Sequence, residues 1–204
     1  PFFKLMDFAD GEDINLHCIF NDKNSGRIKS LVEKIQNEGH SGYIKYWDDK
    51  DANAVCEKAL EKIGSPNKPS LFFLDPTNHK HLNFSTIEKI ADFENGRNGR
   101  KPELIINFMV HSIFMAMKRG LDSNELKSLN AFLGINLSKE KIMEIKNNES
   151  RKTHRFLLRK FLENLRDLGY NCNWHLINSV KTKSPIYYLI FATHREDIHK
   201  RYSD

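Results

Sequence analysis

SLFFLDPTNH, residues 70–79, is the stretch on which the reading of the whole chain turns. A short apolar run from Leu71 to Leu74 stops at an acid and a proline. A run of that length with two aromatics suits a buried strand, and proline cannot extend a strand ladder. In an open parallel sheet, ligands bind just beyond the carboxyl ends of the strands. Asp75–Pro76 therefore marks either the floor of a site or only the turn after a core strand.

Strands and helices alternate on both sides of it. INLHCIFND (14–22) reads as a strand. SGRIKSLVEKIQNEG (25–39) reads as an amphipathic helix, with Ile28, Leu31, Val32 and Ile35 on one face. GYIKYWDD (42–49) is a second strand, and DANAVCEKALEKIG (51–64) a helix ended by Gly64. KPSLFFLDP (68–76) is the third strand and the most apolar. FSTIEKIADFENG (84–96) reads as a helix capped by Ser85, with Glu88 three residues on, and KPELIINFM (101–109) as a fourth strand. The segment 121–150 reads as a helical insertion. RKTHRFLLRKFLENLRDLGYN (151–171) is a long helix stopped at Gly169. NCNWHLINSV and PIYYLIFATH flank the turn KTKS as a hairpin. ENGRNGRKPE (94–103) is an exposed loop. The pattern predicts a single α/β domain over 1–204, with a Rossmann-like, mostly parallel sheet covered by helices on both faces. A terminal antiparallel hairpin closes that sheet, which resembles the sheet plan of class I methyltransferases.

Composition sets limits. With 204 residues, 39% of them hydrophobic and 29% charged, the chain can bury one core. Its net charge of +5 favours a polyanionic partner only weakly. No apolar run approaches the roughly 20 residues of a membrane span, so no membrane association is expected. No signal-peptide pattern opens the chain, and a cytoplasmic protein is expected. Cys18, Cys56 and Cys172 lie far apart without metal-ligand spacing and read as buried thiols. No histidine pair with a neighbouring acid shares a helix face, so no metal is expected. The absence of a G-x-S-x-G elbow argues against a hydrolase.

Acids close each strand that matters. Asp22 is placed to accept hydrogen bonds from ribose hydroxyls, and Asp48 or Asp49 to bind an adenine edge. Asp75–Pro76 ends the strand nearest the substrate. Each has a plainer reading, because Asp and Asn are favoured wherever a strand turns into a helix. His79 and His81 could line a cleft but read first as exposed loop histidines. Basic residues cluster at Arg97, Arg100 and Lys101, at Arg151, Lys152, Arg155, Arg159 and Lys160, and at Lys181 with Lys183. Lys152, Arg155 and Arg159 share one side of a helix, as a phosphate-tracking stripe or as a solvated face. The glycine-rich turn of a nucleotide site is missing. Only PFFKLMDFADGEDINLHC precedes that strand end, and PFFKLMDFADG reads as the end of the helix that would follow such a turn. The expectation is a domain lacking its first strand and glycine-rich loop, or filling that place with another segment.

LHCIFNDKNSGRIKSL, SLFFLDPTNHKHLNFSTIEKI, PELIINFMVHSIFMAMKRG and SPIYYLIFATH, in that order, resemble the three-Cys-motif partner proteins, a bacterial and phage-associated family with a methyltransferase-like Rossmann fold. The likeness runs from about Leu16 to His194. It implies that Asp22 corresponds to the acid after the second strand, Asp75–Pro76 to the family's D-P pair, and Asn107 to the asparagine of its I-N-F run. The family's upstream D-x-F-A-G-x-G segment has no counterpart here. Thr77 and Asn78 stand where it has an aromatic and a glycine. The resemblance further implies a neighbouring iron–sulfur protein with a three-cysteine motif as partner. Together these features predict an S-adenosylmethionine-dependent methyltransferase-like protein acting on or with nucleic acid. Asp22 and Asp48 would hold the cofactor, Asp75, Pro76 and Asn107 would form the reaction site, and Arg151, Lys152, Arg155, Arg159, Lys181 and Lys183 would contact nucleic acid. The alternative is a non-catalytic binding module that keeps the fold.

Overall fold

In the computed structural model the described residues are 12, 17–22, 24–38, 43–48, 51–64, 69–93, 101–148 and 153–196, with backbone alone at 43–48, 146 and 148. The readings placed on 1–11, on the loop 94–100, and on Asp49, Arg97, Arg100, Arg151 and Lys152 lie outside them. The chain divides into two compact units, one through Ala59 and one from Leu60 onward.

In the first unit, β1 (His17–Asp22) and β2 (Tyr43–Asp48) pair in parallel, with Asp22 opposite Asp48 at their carboxyl ends. The crossover between them is α1 (Ser25–Asn37), which buries Ile28 and Ile35 and packs on both strands. Its start is fixed by side chains. Asn24 is the N-cap and accepts from Arg27 N at 3.2 Å, while Asp22 Oδ1 accepts from Asn24 N at 2.8 Å. The following helix, α2 (Ala52–Ile63), carries the boundary between the units.

The second unit is built on one sheet of β3 (Leu71–Leu74), β4 (Glu103–Phe108), β6 (Pro185–Thr193) and β5 (Asn171–Asn178), in that spatial order. β3 and β4 run parallel, whereas β6 is antiparallel to both β4 and β5. The sheet is therefore mixed, which corrects the expectation of a mostly parallel one. The turn between β5 and β6, closed by Ser179 N to Ser184 O at 2.8 Å and Lys183 N to Ser179 O at 2.9 Å, makes those two antiparallel, and the insertion of β6 beside β4 adds a second antiparallel ladder. β6 thus lies between its hairpin partner and β4, with both of its ladders antiparallel.

Period-2 alternation aims Leu104, Ile106 and Phe108 of β4 and Tyr188, Ile190 and Ala192 of β6 to one face, where all are fully buried. Helices α3 (Phe84–Asp92), α4 (Val110–Lys118), α5 (Ser123–Leu133) and α7 (Thr153–Asp167) supply the apolar side chains of this core. At its centre the Phe161 ring lies 5.5 Å from Phe84, 5.2 Å from Phe108 and 5.5 Å from Phe132. Rings at such spacings bury large area and fix mutual orientation. The segment read as an insertion holds α5 and α6 (Lys139–Asn148), and α5 contributes Leu129, Phe132 and Leu133 to the core.

Three details differ from the sequence reading. The helix read over 84–96 does start at Phe84, but its N-cap is Asn83, two residues before the expected Ser85, and it ends at Asp92. Helix α4 follows β4 after Met109 alone, in a largely apolar stretch without glycine or proline, and was not read from the sequence. β3, the most apolar strand, pairs on one side only among the described residues and leaves Leu71 52% and Phe73 60% exposed. Among the described residues no helix is long and apolar enough to cross a membrane.

Candidate functional site

β3 and β4 run parallel and end together, so Asp75, just past β3, and Asn107, near the end of β4, emerge at the same carboxyl edge. Asn107 Nδ2 donates to Asp75 Oδ1. That bond fixes the amide: its oxygen Oδ1 is turned away, is buried, and accepts no hydrogen bond from a described residue. Asp75 itself is exposed and Pro76 buried. The pair thus presents a carboxylate and a desolvated amide oxygen side by side. Two adjoining acceptors suit an N–H or O–H group, which they can orient and from which the carboxylate can take a proton.

The chain after Asp75–Pro76 is anchored by a buried network that sequence reasoning missed. His79, expected as an exposed loop residue, is only 3% exposed. Ser112 Oγ on α4 accepts the His79 backbone N–H at 3.0 Å and lies 2.7 Å from Nδ1. Glu125 Oε2 on α5 lies 3.4 Å from Nε2, and a carboxylate there favours the imidazole proton on Nε2, so that the Ser112 hydroxyl donates to Nδ1. Burial lowers the His79 pKa, and the Glu125 carboxylate opposes that shift without cancelling it. Glu125 is 6% exposed and receives Lys80 Nζ at 2.6 Å on its other oxygen. Such a carboxylate needs those partners to stay buried. His81 Nδ1 adds a 2.8 Å contact with Thr77 Oγ1. The turn 77–81 is thereby tied to α4 and α5, and the backbone leaving Asp75 has a fixed course. The capping pattern Asp122-x-x-Glu125 gives the start of α5 from sequence, but not the burial of Glu125.

In the first unit, Asp22 and Asp48 are brought into register. Asp22 Oδ1 is spent on Asn24 N, while Oδ2 stands 3.8 Å from the Arg27 guanidinium with the side chain 37% exposed. One carboxylate oxygen therefore remains open to a hydroxyl. The described residues beside β1 include no glycine-rich turn.

Of the basic residues, Arg155 and Arg159 are exposed and one turn apart on α7, and Lys181 and Lys183 are exposed on the hairpin turn. Topology gathers them. Phe108 ends β4 opposite Tyr188, and the hairpin turn lies beyond Tyr188, past the carboxyl end of β4. The first turn of α7 reaches the same place, because His154 Nδ1 lies 2.8 Å from the Tyr188 hydroxyl. The four cations thus lie toward the same end of the unit as Asp75 and Asn107. Among the described residues no group of three or more His, Cys, Asp or Glu could hold a metal ion.

No family model and no curated protein matches the chain. Among solved structures it is similar to a possible exported protein from Bordetella parapertussis, with a TM-score of 0.40 and 8% identity, covering 88% of this chain and 54% of that one. The chain spans about half the length of that protein. It is also similar to the methyltransferase domain of bacterial CtHen1-CN, with a TM-score of 0.39 and 10% identity, covering 92% of this chain and 83% of that one. Neither likeness is close enough to carry an argument about function.

Proposed function

We propose that this chain is a methyltransferase-like protein that uses S-adenosylmethionine and acts on or with nucleic acid. The observation that carries this reading is the Asp75–Asn107 pair, two adjoining acceptors at the ligand edge of parallel strands. The hairpin that closes the sheet, the open oxygen of Asp22 and the cations gathered at the same end as Asp75 support it. S-adenosylmethionine, when bound, supplies an activated methyl group. Asp22 holds its ribose and Asp48 its adenine edge. Asp75 and Asn107 accept hydrogen bonds from the attacking N–H or O–H group, and Asp75 removes its proton. Pro76 fixes the backbone that follows. Arg155, Arg159, Lys181 and Lys183, with Arg151 and Lys152 upstream, position phosphates.

The test is a calorimetric titration with S-adenosylmethionine of the wild type, Asp22→Ala and Asp75→Asn, followed by methyl transfer to RNA and DNA. Binding is expected in the wild type and in Asp75→Asn and is lost in Asp22→Ala. Methyl transfer by Asp75→Asn falls roughly 100-fold or more. No heat from any form rejects the cofactor reading. A second reading, a non-catalytic partner module, is favoured by the use of Asp22 Oδ1 within its own turn. It predicts no cofactor binding, with intact nucleic-acid binding or capture of a three-cysteine iron–sulfur protein.

A further inference from the structure

Trp174 lies on β5, the outer strand of its sheet among the described residues, and is 50% exposed. Its ring stands edge-on to Tyr188, with centroids 5.3 Å apart. The two are diagonal neighbours, since Trp174 pairs with Ile190 and Tyr188 with Leu176. Tyr188 is fully buried and braced by His154 Nδ1 at 2.8 Å, so the indole rests on a rigid support. The exposed Arg155 guanidinium lies close enough to the same Tyr188 hydroxyl to oppose the upward push of burial on its pKa. One turn on, the Arg159 guanidinium lies 5.8 Å from the Phe156 ring centroid. The strand then leads to the exposed Lys181 and Lys183.

The charge around this aromatic is one-sided. No Asp or Glu occurs between 168 and 195, and the first acid on α7 is Glu163, which receives Lys160 Nζ at 2.7 Å. One face of the indole is packed on Tyr188 and half of the side chain stays in water, which leaves a large flat apolar surface available. An indole held rigidly on a strand without acids, beside a helix whose first turns carry only cations, matches a polyanion that also offers flat apolar faces. Duplexes hide those faces in the stack, whereas single strands present them.

We infer that Trp174 is a stacking platform for an unpaired base of single-stranded nucleic acid, with Arg155, Arg159, Lys181 and Lys183 holding the flanking phosphates. The inference rests on the nucleic-acid part of the proposed function and names its substrate class. A stacked aromatic tolerates any base, so binding depends on strandedness more than on sequence.

The experiment uses a fluorescein-labelled oligothymidylate of about 12 nucleotides and a duplex of the same length, in anisotropy titrations at several salt concentrations. The chain has two tryptophans, so Trp47→Phe leaves Trp174 as the only reporter. Its fluorescence is expected to be quenched on binding, and single strands are expected to bind more tightly than duplex. Trp174→Leu, which keeps an apolar cover on Tyr188, is expected to weaken single-strand binding roughly 5- to 100-fold with an unchanged salt slope. Trp174→Tyr should recover most of that loss and guards against a folding defect. Tight single-strand binding that is indifferent to Trp174→Leu, or preference for the duplex, overturns the platform and leaves the nucleic-acid reading standing. Binding of neither probe at low salt overturns both.

Discussion

His79 is gripped by a hydroxyl on one nitrogen and faces a carboxylate with the other. Unfolded, it titrates near 6.5; folded, burial lowers that value. Below about pH 6.5 the unfolded chain therefore binds the proton more readily. The stability this group contributes is complete above that pH and is lost as pH falls through the depressed folded value. His79→Gln is expected to cost about 1–3 kcal/mol at pH 7.5, and less as the pH approaches 5, when paired urea midpoints are compared. An unchanging gap would show that burial does not hold the imidazole neutral. Asp75 could be picked out in the sequence because it ends an apolar run, where a polar side chain has few uses, whereas Asn107 sits inside one and was marked only by the family resemblance. Ser112 was not, because it lies 33 residues from His79 and nothing local distinguishes a serine that will be bonded from one that will be solvated.

Helix ends tell the same story at the next scale. Gly169, at φ 85°, was readable as a stop because Tyr170 N must reach back to Leu165 O across a left-handed residue. The N-cap of α3 was not, since Asn83 and Ser85 both begin plausible caps and only packing of Phe84 against Phe161 selects between them. Helix α4 escaped for a related reason: between Leu104 and Met117 there is no glycine or proline to separate strand period from helix period. Gly134, which ends α5 at φ 68°, has a second constraint. A Cβ there would come within 2.6 Å of the Phe84 ring, whereas at Gly120, φ 94°, it would meet nothing within 4 Å. Gly120→Ala is expected to cost about 1 kcal/mol of backbone strain. Gly134→Ala should cost about 2–4 kcal/mol, because overpacking against the aromatic core is added. Equal melting temperatures for the two variants would mean that Phe84 yields freely.

On the scale of the whole chain, alternation of strands and helices identified an α/β protein, but strand direction depends on which gap a returning strand enters. β6 entered the gap beside β4, a choice made by distant ladders and invisible in the turn that precedes it. Burial was misjudged for the same reason. LFFL is apolar enough for a central strand, yet half of its side chains are exposed on an outer one. Among the described residues β3 has a ladder on one side only, and an uncharged edge of that composition invites a second chain to add to it. Here the strand is fenced: Pro69 and Pro76 stand on either side, next to Lys68 and Asp75. Neither proline can donate to an added ladder, so a foreign strand finds only a few residues to grip before the chain refuses it and the adjoining charge repels a stacked copy. The protein is thus guarded against clumping by covalent geometry, at no expense to its core. Pro69→Thr is expected to leave the melting temperature within a few degrees but to raise light scattering steeply during prolonged warming of concentrated solutions, whereas a variant as clear as the wild type would place the protection elsewhere.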